Sequence, residues 1–362
     1  MSSFPSSLSL RGRSPALQWA GLLALSASFA LALTALRLPA ALLLSAIAAA
    51  AFIASFEGEV KIPPRAFILA QAMIGGLVAR AIKPDILREI ARDWPLFAAA
   101  ALSVILVSCL FGWILARSRF FKDSTPIWGF LPGAASAMTL MADAYGADMR
   151  LVAFMQYLRV LLVALAASLV ARFFAPGVDH SVPVLAPPPL NWQAFALTCL
   201  LLAGASWAGR KLRIPAGPLL GPLVAGALAQ DLGLMTIELP QPLLALSYAL
   251  LGWTIGLRFS RDILLHALKT LPIVLGSILA LLAICGAFGV LLARYAHVDP
   301  MTAYLATSPG GLDAVAIIAT SAKVDMPFVM ALQTARILLV ILIGPSLARL
   351  VADRVAQKPR DD

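Results

Sequence analysis

Two short patterns in this chain pair a side-chain amide with a long cation, and each occurs twice. Gln156 stands three residues before Arg159 and Gln333 three residues before Arg336, so each pair shares one helical face. Arg159 lies 11 residues after Asp148, and Arg336 lies 11 residues after Asp325. At 1.5 Å per residue that is about 16 Å of helix, which puts both guanidiniums near the middle of a membrane if these segments cross one. An unpaired guanidinium there costs at least about 3 kcal/mol. Each arginine must therefore face inward and find a partner: a carboxylate, a set of backbone carbonyls or an anionic ligand. Asp313 is the carboxylate nearest to hand, and Ser136 stands at the matching place in the first copy.

Upstream of each Gln-Arg pair lies a segment hostile to a continuous helix, LPGAASAMTLMADAYG from Leu131 and SPGGLDAVAIIATSAK from Ser308. Proline lacks an amide donor and glycine lacks a side chain, so Pro132-Gly133 and Pro309-Gly310-Gly311 leave backbone groups unpaired. In hydrocarbon such groups are tolerated only where protein or a watery cavity satisfies them. Free amides at the start of the following half-helix suit an anion, and free carbonyls suit a cation. A helix capped by Pro-Gly at the membrane surface would read the same way. Recurrence at corresponding points favours a broken or re-entrant element in each copy.

The elements that must hold these residues are apolar runs. Of 362 residues 61% are hydrophobic and 13% charged, about half the charge of a soluble domain. Twelve runs are legible, near 16–36, 38–56, 66–82, 94–116, 127–145, 149–174, 191–209, 214–232, 241–257, 271–293, 301–322 and 326–350. Such a chain is an all-α integral membrane protein. The first run follows Arg11 and Arg13 and exceeds the usual signal-peptide core, so it reads as a retained span with its N-terminus inside. The net charge of +10 sits in short clusters between runs, the positive-inside pattern, and gives no reason to expect nucleic acid. Cys109, Cys199 and Cys285 lie inside apolar runs without CxxC spacing. His180, His266 and His297 are scattered, so no metal and no cofactor is expected. Asp143 could carry a proton but aligns with Thr320, while Gly75-Gly76 and Gly252 fit close helix packing.

The two sets of six runs are copies. A shift of 177 positions superposes 131–162 on 308–339 without a gap, matching Pro132 with Pro309, Gly133 with Gly310, Asp148 with Asp325 and each Gln-Arg pair with the other. Shared apolar composition would not align those residues at one spacing. The chain divides into a cytoplasmic tail (1–15), a first repeat (16–175), a Pro-rich linker (176–190), a second repeat (191–351) and a cytoplasmic tail (352–362). Six crossings per repeat would spread the basic residues evenly over both sides. Five crossings plus one broken or re-entrant segment make the repeats inverted and concentrate Lys and Arg inside. Arg80, Lys83, Arg88 and Arg92 would then lie outside, among Asp85, Glu89 and Asp93.

The doubled pattern, (S/L)-P-G-(G/A) and some 20 residues later D-M-x-x-V-x-x-x-Q-x-x-R, resembles the membrane AbrB family over about residues 20–350. Leu212 to Pro222 (LRIPAGPLLGP) also looks like its signature, whereas Ala134 and Ser136 depart from it. The resemblance implies a duplicated bacterial inner-membrane protein. Members are labelled regulators of gene expression and, elsewhere, ammonia monooxygenases. The sequence offers neither a DNA-reading segment nor the ligand cluster of a copper or iron oxygenase. By analogy with inverted-repeat transporters, the expected function is a secondary transporter or permease of a small solute, not an enzyme. The alternative is a membrane-embedded regulator acting indirectly through a partner or a sensed ligand. Expected partners are membrane lipid, the solute, a coupling proton or sodium ion, and a second copy if the chain oligomerises. In the site, Pro132, Gly133, Pro309, Gly310 and Gly311 would open the backbone. Asp313, opposite Ser136, would bind a cation, and Gln156, Arg159, Gln333 and Arg336 would orient an anionic group or Asp313.

Overall fold

The computed structural model describes residues 10, 12–36, 40–80, 94–118, 120–121, 123–132, 138, 142, 146–174, 191–214, 217–322 and 324–356. Gly133, Ser136, Asp143, all of 81–93, the 176–190 linker and the chain ends to Ser9 and from Gln357 lie outside the described residues, and of Asp313 only the backbone is described. Among the described residues there are helices and no strand. They are α1 (Pro15–Ala35), α2 (Ala41–Ser55), α3 (Pro64–Ala79), α4 (Trp94–Ala116), α5 (Thr125–Phe130), α6 (Met149–Phe174), α7 (Trp192–Lys211), α8 (Gly217–Asp231), α9 (Gln241–Gly256), α10 (Arg261–Ala267), α11 (Leu271–Ala296), α12 (Pro300–Thr307), α13 (Leu312–Ser321) and α14 (Met326–Ala356).

Five of these helices are long and apolar enough to cross a membrane: α1, α4, α6 over Met149–Ala171, α7 and α11. Four expected spans are shorter. α2, α3, α8 and α9 have 15 or 16 residues, about 22–24 Å against about 30 Å of hydrocarbon. α2 starts late because Ala40 is left-handed (φ 53°), and it stops at Ser55 because Glu57 is left-handed too.

Contacts divide the chain into two compact units. Unit one comprises Met1–Glu89, Ala164–Arg261 and Asp313–Pro327; unit two comprises Ile90–Val163, Asp262–Leu312 and Phe328–Asp362. Each unit draws on both sequence repeats.

In unit one the packing recurs with the repeats exchanged. α1 packs on α2 as α7 packs on α8, and α2 packs on α9 as α8 packs on α3. The close approach has one cause at both places. A Cβ on Gly75 would strike the carbonyl of Leu219, and one on Gly252 would strike the carbonyl of Leu43. Gly252 lies 177 positions after Gly75, and Leu219 lies 176 after Leu43. The ends of α2 and α8 match as well. The Gly58 amide donates to Ile53 O (2.9 Å) and the Leu234 amide to Ala229 O (3.0 Å), around left-handed Glu57 and Gly233. Trp253 anchors one core cluster with Leu22, Ile53 and Val60, and its Nε1 donates to Ser26 Oγ at 2.9 Å.

In unit two α4 packs on α5, α11 on α12, and α4 on α11. The second Pro-Gly segment interrupts helical structure, as its sequence predicts: α12 ends at Thr307, Ser308 is extended, and the stretch to Gly311 is non-helical. α13 follows from Leu312, its residues from Asp313 onward belonging to unit one. In the first copy α5 ends at Phe130, and Leu131 is extended. Beyond Pro132 the described residues there are Met138 and Ala142, both helical. Trp128, Leu131, Met138, Ala142, Val152 and Val340 share one buried cluster.

Candidate functional site

α5 and α12 are short, buried and end in mid-protein, so each poses the same problem at its C-terminus. The last carbonyls of a helix have no intrahelical donor, and they carry the negative end of its dipole. In both copies the repeated Gln and Arg supply the missing donors. Gln156 Nε2 donates to Trp128 O (2.8 Å) and Leu131 O (3.0 Å), while Arg159 Nη1 donates to Phe130 O (3.0 Å) and Leu131 O (3.3 Å). Gln333 Nε2 donates to Leu305 O (2.7 Å) and Ser308 O (3.1 Å), and Arg336 Nη1 donates to Ser308 O (2.5 Å). Leu305 and Ser308 are the 177-position equivalents of Trp128 and Leu131. All four side chains are buried, none above 2% exposed.

The copies then diverge. Arg159 Nη2 turns back to Gln156 Oε1 at 2.7 Å. Arg336 Nη2 reaches into the break and donates to Gly310 O at 2.7 Å. Gln333 Oε1 and the Nε of both arginines are buried with no hydrogen-bond partner among the described residues. The described partners of both cations are therefore carbonyls, one of the chemistries open to them from sequence. Pro132, Pro309 and Gly310 are buried beside the clamps and Gly311 is half-buried. Asp313 is the second residue of α13.

The far ends of the half-helices are tied down too. Asp299 caps α12, accepting from the amides of Met301 (2.9 Å) and Thr302 (3.1 Å). At the start of α6, Asp148 Oδ1 accepts from Arg150 (2.9 Å) and Leu151 (3.1 Å), while its own amide donates to Thr125 Oγ1 on α5 (2.8 Å). Its Oδ2 lies 2.5 Å from His266 Nε2 on α10. Partial burial alone would raise the Asp148 carboxyl, but the His266 hydrogen bond and charge and the two amides outweigh it and hold it below the usual value. His266 is 118 residues away and carried no signal in sequence. The cap role of Asp148 did, since aspartate just before an apolar helical run is a helix start.

A helical protein of membrane character, with two buried half-helices each closed by a duplicated Gln-Arg clamp, is the class these observations define. The chain belongs to the AbrB family, whose description, "Transition state regulatory protein AbrB", matches residues 42–352. It is 45% identical to the "Putative regulator AbrB" of Escherichia coli (strain K12) over 342 residues, 93% of this chain and 97% of that one. It is 25% identical to the "Uncharacterized protein YhjN" of Bacillus subtilis (strain 168) over 300 residues, 78% of each. No solved structure matches the chain.

Proposed function

We propose that this protein is a secondary transporter of a small solute, multi-pass in the bacterial inner membrane, with inverted repeats and its site at the helix breaks. The observation that carries this reading is the broken helix α12–α13, interrupted at Ser308–Gly311 inside apolar sequence and clamped at its first half by Gln333 and Arg336. A break is costly in hydrocarbon unless it lines a polar site, and discontinuous helices in duplicated halves are the usual place for one. The exchanged packing of α2 on α9 and α8 on α3 supports a two-fold relation between the repeats.

The clamp assigns roles. Gln333 and Arg336 take the carbonyls of Leu305, Ser308 and Gly310, so they act as positioning residues. What the break leaves for a ligand is the first amides of α13, with Asp313 in that turn as the proton or cation carrier. The regulator reading rests on printed names alone, that of the family and that of the E. coli relative.

The test is proton or sodium flux in proteoliposomes across a panel of small organic anions, cations and neutral solutes. Solute-dependent flux that Asp313→Asn abolishes, while folding is retained, is the expected result. Flux unchanged by Asp313→Asn overturns the site, and no flux with any solute under either ion gradient overturns transport.

A further inference from the structure

Unit two holds an open groove of about 170 Å³ between α4 and α11, floored by the last residue of α12. One wall is a stripe of small residues on α4, including Ala99, Ala100 and Ser103; the other is a stripe on α11 that includes Phe288 and Tyr295, and Thr307 lies beneath. Both stripes follow helical spacing, so the groove runs along the two helices. Cavities of about 150 Å³ hold a benzene-sized apolar guest, and an open groove of this size holds several methylenes of a longer chain.

The repeat shows why the groove is there. The position matching Thr307 is Phe130, and the position matching Phe288 is Phe111. Those two rings stack with centroids 6.1 Å apart. Thr307 fills little of the equivalent space, because its hydroxyl turns back to donate to Ala303 O (3.0 Å) and Cys285 O (3.1 Å). One copy carries an aromatic plug, and the other leaves the place open.

The surroundings identify the occupant. α4 and α11 are two of the five helices long and apolar enough to cross a membrane, and their outer faces expose Leu106, Leu110, Leu279 and Val290. The groove lies at the α4 end marked by Trp94, 65% exposed, and the α11 end marked by Tyr295, 77% exposed, the placing of aromatic residues at a membrane interface. Exposed Arg294 lies three residues beyond the groove residue Leu291 on the same helical face and has no ion-pair partner among the described residues. Apolar groove, aromatic rim and basic end match acyl chain, glycerol level and phosphate.

We propose that this groove binds one acyl chain of an anionic phospholipid, whose phosphate is held by Arg294. The lipid tail then rests against Thr307, the residue from which the broken helix departs, so an occupied groove braces α12 next to the break. The site does not depend on the transport reading.

The test is native mass spectrometry of the detergent-purified protein offered phosphatidylglycerol or phosphatidylcholine with identical acyl chains. Phosphatidylglycerol should be retained at least about fivefold better, and Arg294→Gln should remove that preference, a factor expected of one basic contact near a membrane surface. Thr307→Phe, which copies the plug of the other repeat, should lower retention of both lipids about tenfold. Ala99→Phe fills the groove from the exposed wall and should do the same without touching the hydrogen bonds of Thr307. Thr307→Val, which removes the hydroxyl but leaves the space, should retain lipid like the unmodified protein. Retention unchanged in both Thr307→Phe and Ala99→Phe overturns the groove. Equal retention of the two lipids overturns the Arg294 contact.

Discussion

The two clamps share a scaffold and differ in the last donor of the arginine. In the first copy Arg159 Nη2 bonds to Gln156 Oε1, so amide and cation form a closed pair over the end of α5. In the second, Arg336 Nη2 extends to Gly310 O, and Gln333 Oε1 is left buried without a partner among the described residues. A buried acceptor left unmade costs about 1–3 kcal/mol. The second copy thus trades local satisfaction for a hold on the break itself. Asp313 and the second glycine of Pro309-Gly310-Gly311 belong to that same copy, opposite Ser136 and Ala134. The two occurrences of the pattern share a frame, and by sequence only the second adds Gly311 and Asp313 to it.

The largest effect should come from removing either cation. Arg159→Gln and Arg336→Gln each strand carbonyls at a buried helix end, and hydrogen bonds to charged groups contribute about 1.5–3 kcal/mol each. We expect each variant to lose about 3 kcal/mol or more of stability, read as a lower midpoint in detergent thermal unfolding. An Arg336→Leu protein as stable as the unmodified one would show that the cation is kept for a ligand and not for the fold.

A smaller effect separates the copies. Gln156→Leu removes the donor to Trp128 and Leu131 and also unpairs Arg159 Nη2. Gln333→Leu removes donors to the carbonyls of Leu305 and Ser308 and a longer contact to Ser308 Oγ, and it also eliminates the unpartnered Oε1. Gln156→Leu should therefore cost about 1 kcal/mol more than Gln333→Leu. A double-mutant cycle should find stronger coupling between Gln156 and Arg159, which bond to each other directly, than between Gln333 and Arg336, which share only the Ser308 carbonyl. Equal coupling in both would erase the distinction between the clamps.

Much of this frame was legible in the residues. α4 and α6 coincide with the apolar runs 94–116 and 149–174, because charged or polar residues bound both runs. The break at Pro309-Gly310 was legible because proline and glycine act through the backbone in any context. α2 and α8 end within one residue of their runs, at left-handed turns around Glu57 and Gly233, whereas α2 starts late because left-handed Ala40 interrupts apolar sequence where hydropathy does not change. α10 was missed: seven residues with Arg261, Asp262 and His266 show no apolar run. The donors of the clamp were visible as repeated Gln and Arg, but their targets were not. Backbone carbonyls have no letter in a sequence, so a carbonyl clamp could be named there only as one alternative, without the carbonyls it takes.

The smallest predicted effect lies where the first copy has something the second lacks by sequence. His266 meets Asp148 at the start of α6, and the position matching His266 in the other copy is Glu89. The Asp148 carboxyl is held below its ordinary value of 3.8, because the hydrogen bond and charge of His266 with the amides of Leu151 and Arg150 outweigh desolvation. A carboxyl lowered in the folded state adds stability above its ordinary pKa, and that stability is lost as pH falls through the lowered value. Thermal midpoints followed downward from pH 6 should therefore drop more steeply in the unmodified protein than in Asp148→Asn. Asparagine caps a helix about as well as aspartate, so that substitution keeps the bonds to Arg150 and Leu151 while removing the charge that faces His266. Asp148→Ala should lose about 1 kcal/mol more at every pH, the usual worth of an N-cap. His266→Gln should flatten the acid limb as Asp148→Asn does, with the cap intact. An acid limb equally steep in Asp148→Asn would place the titrating group elsewhere and leave the start of α6 held by its cap and Thr125 alone.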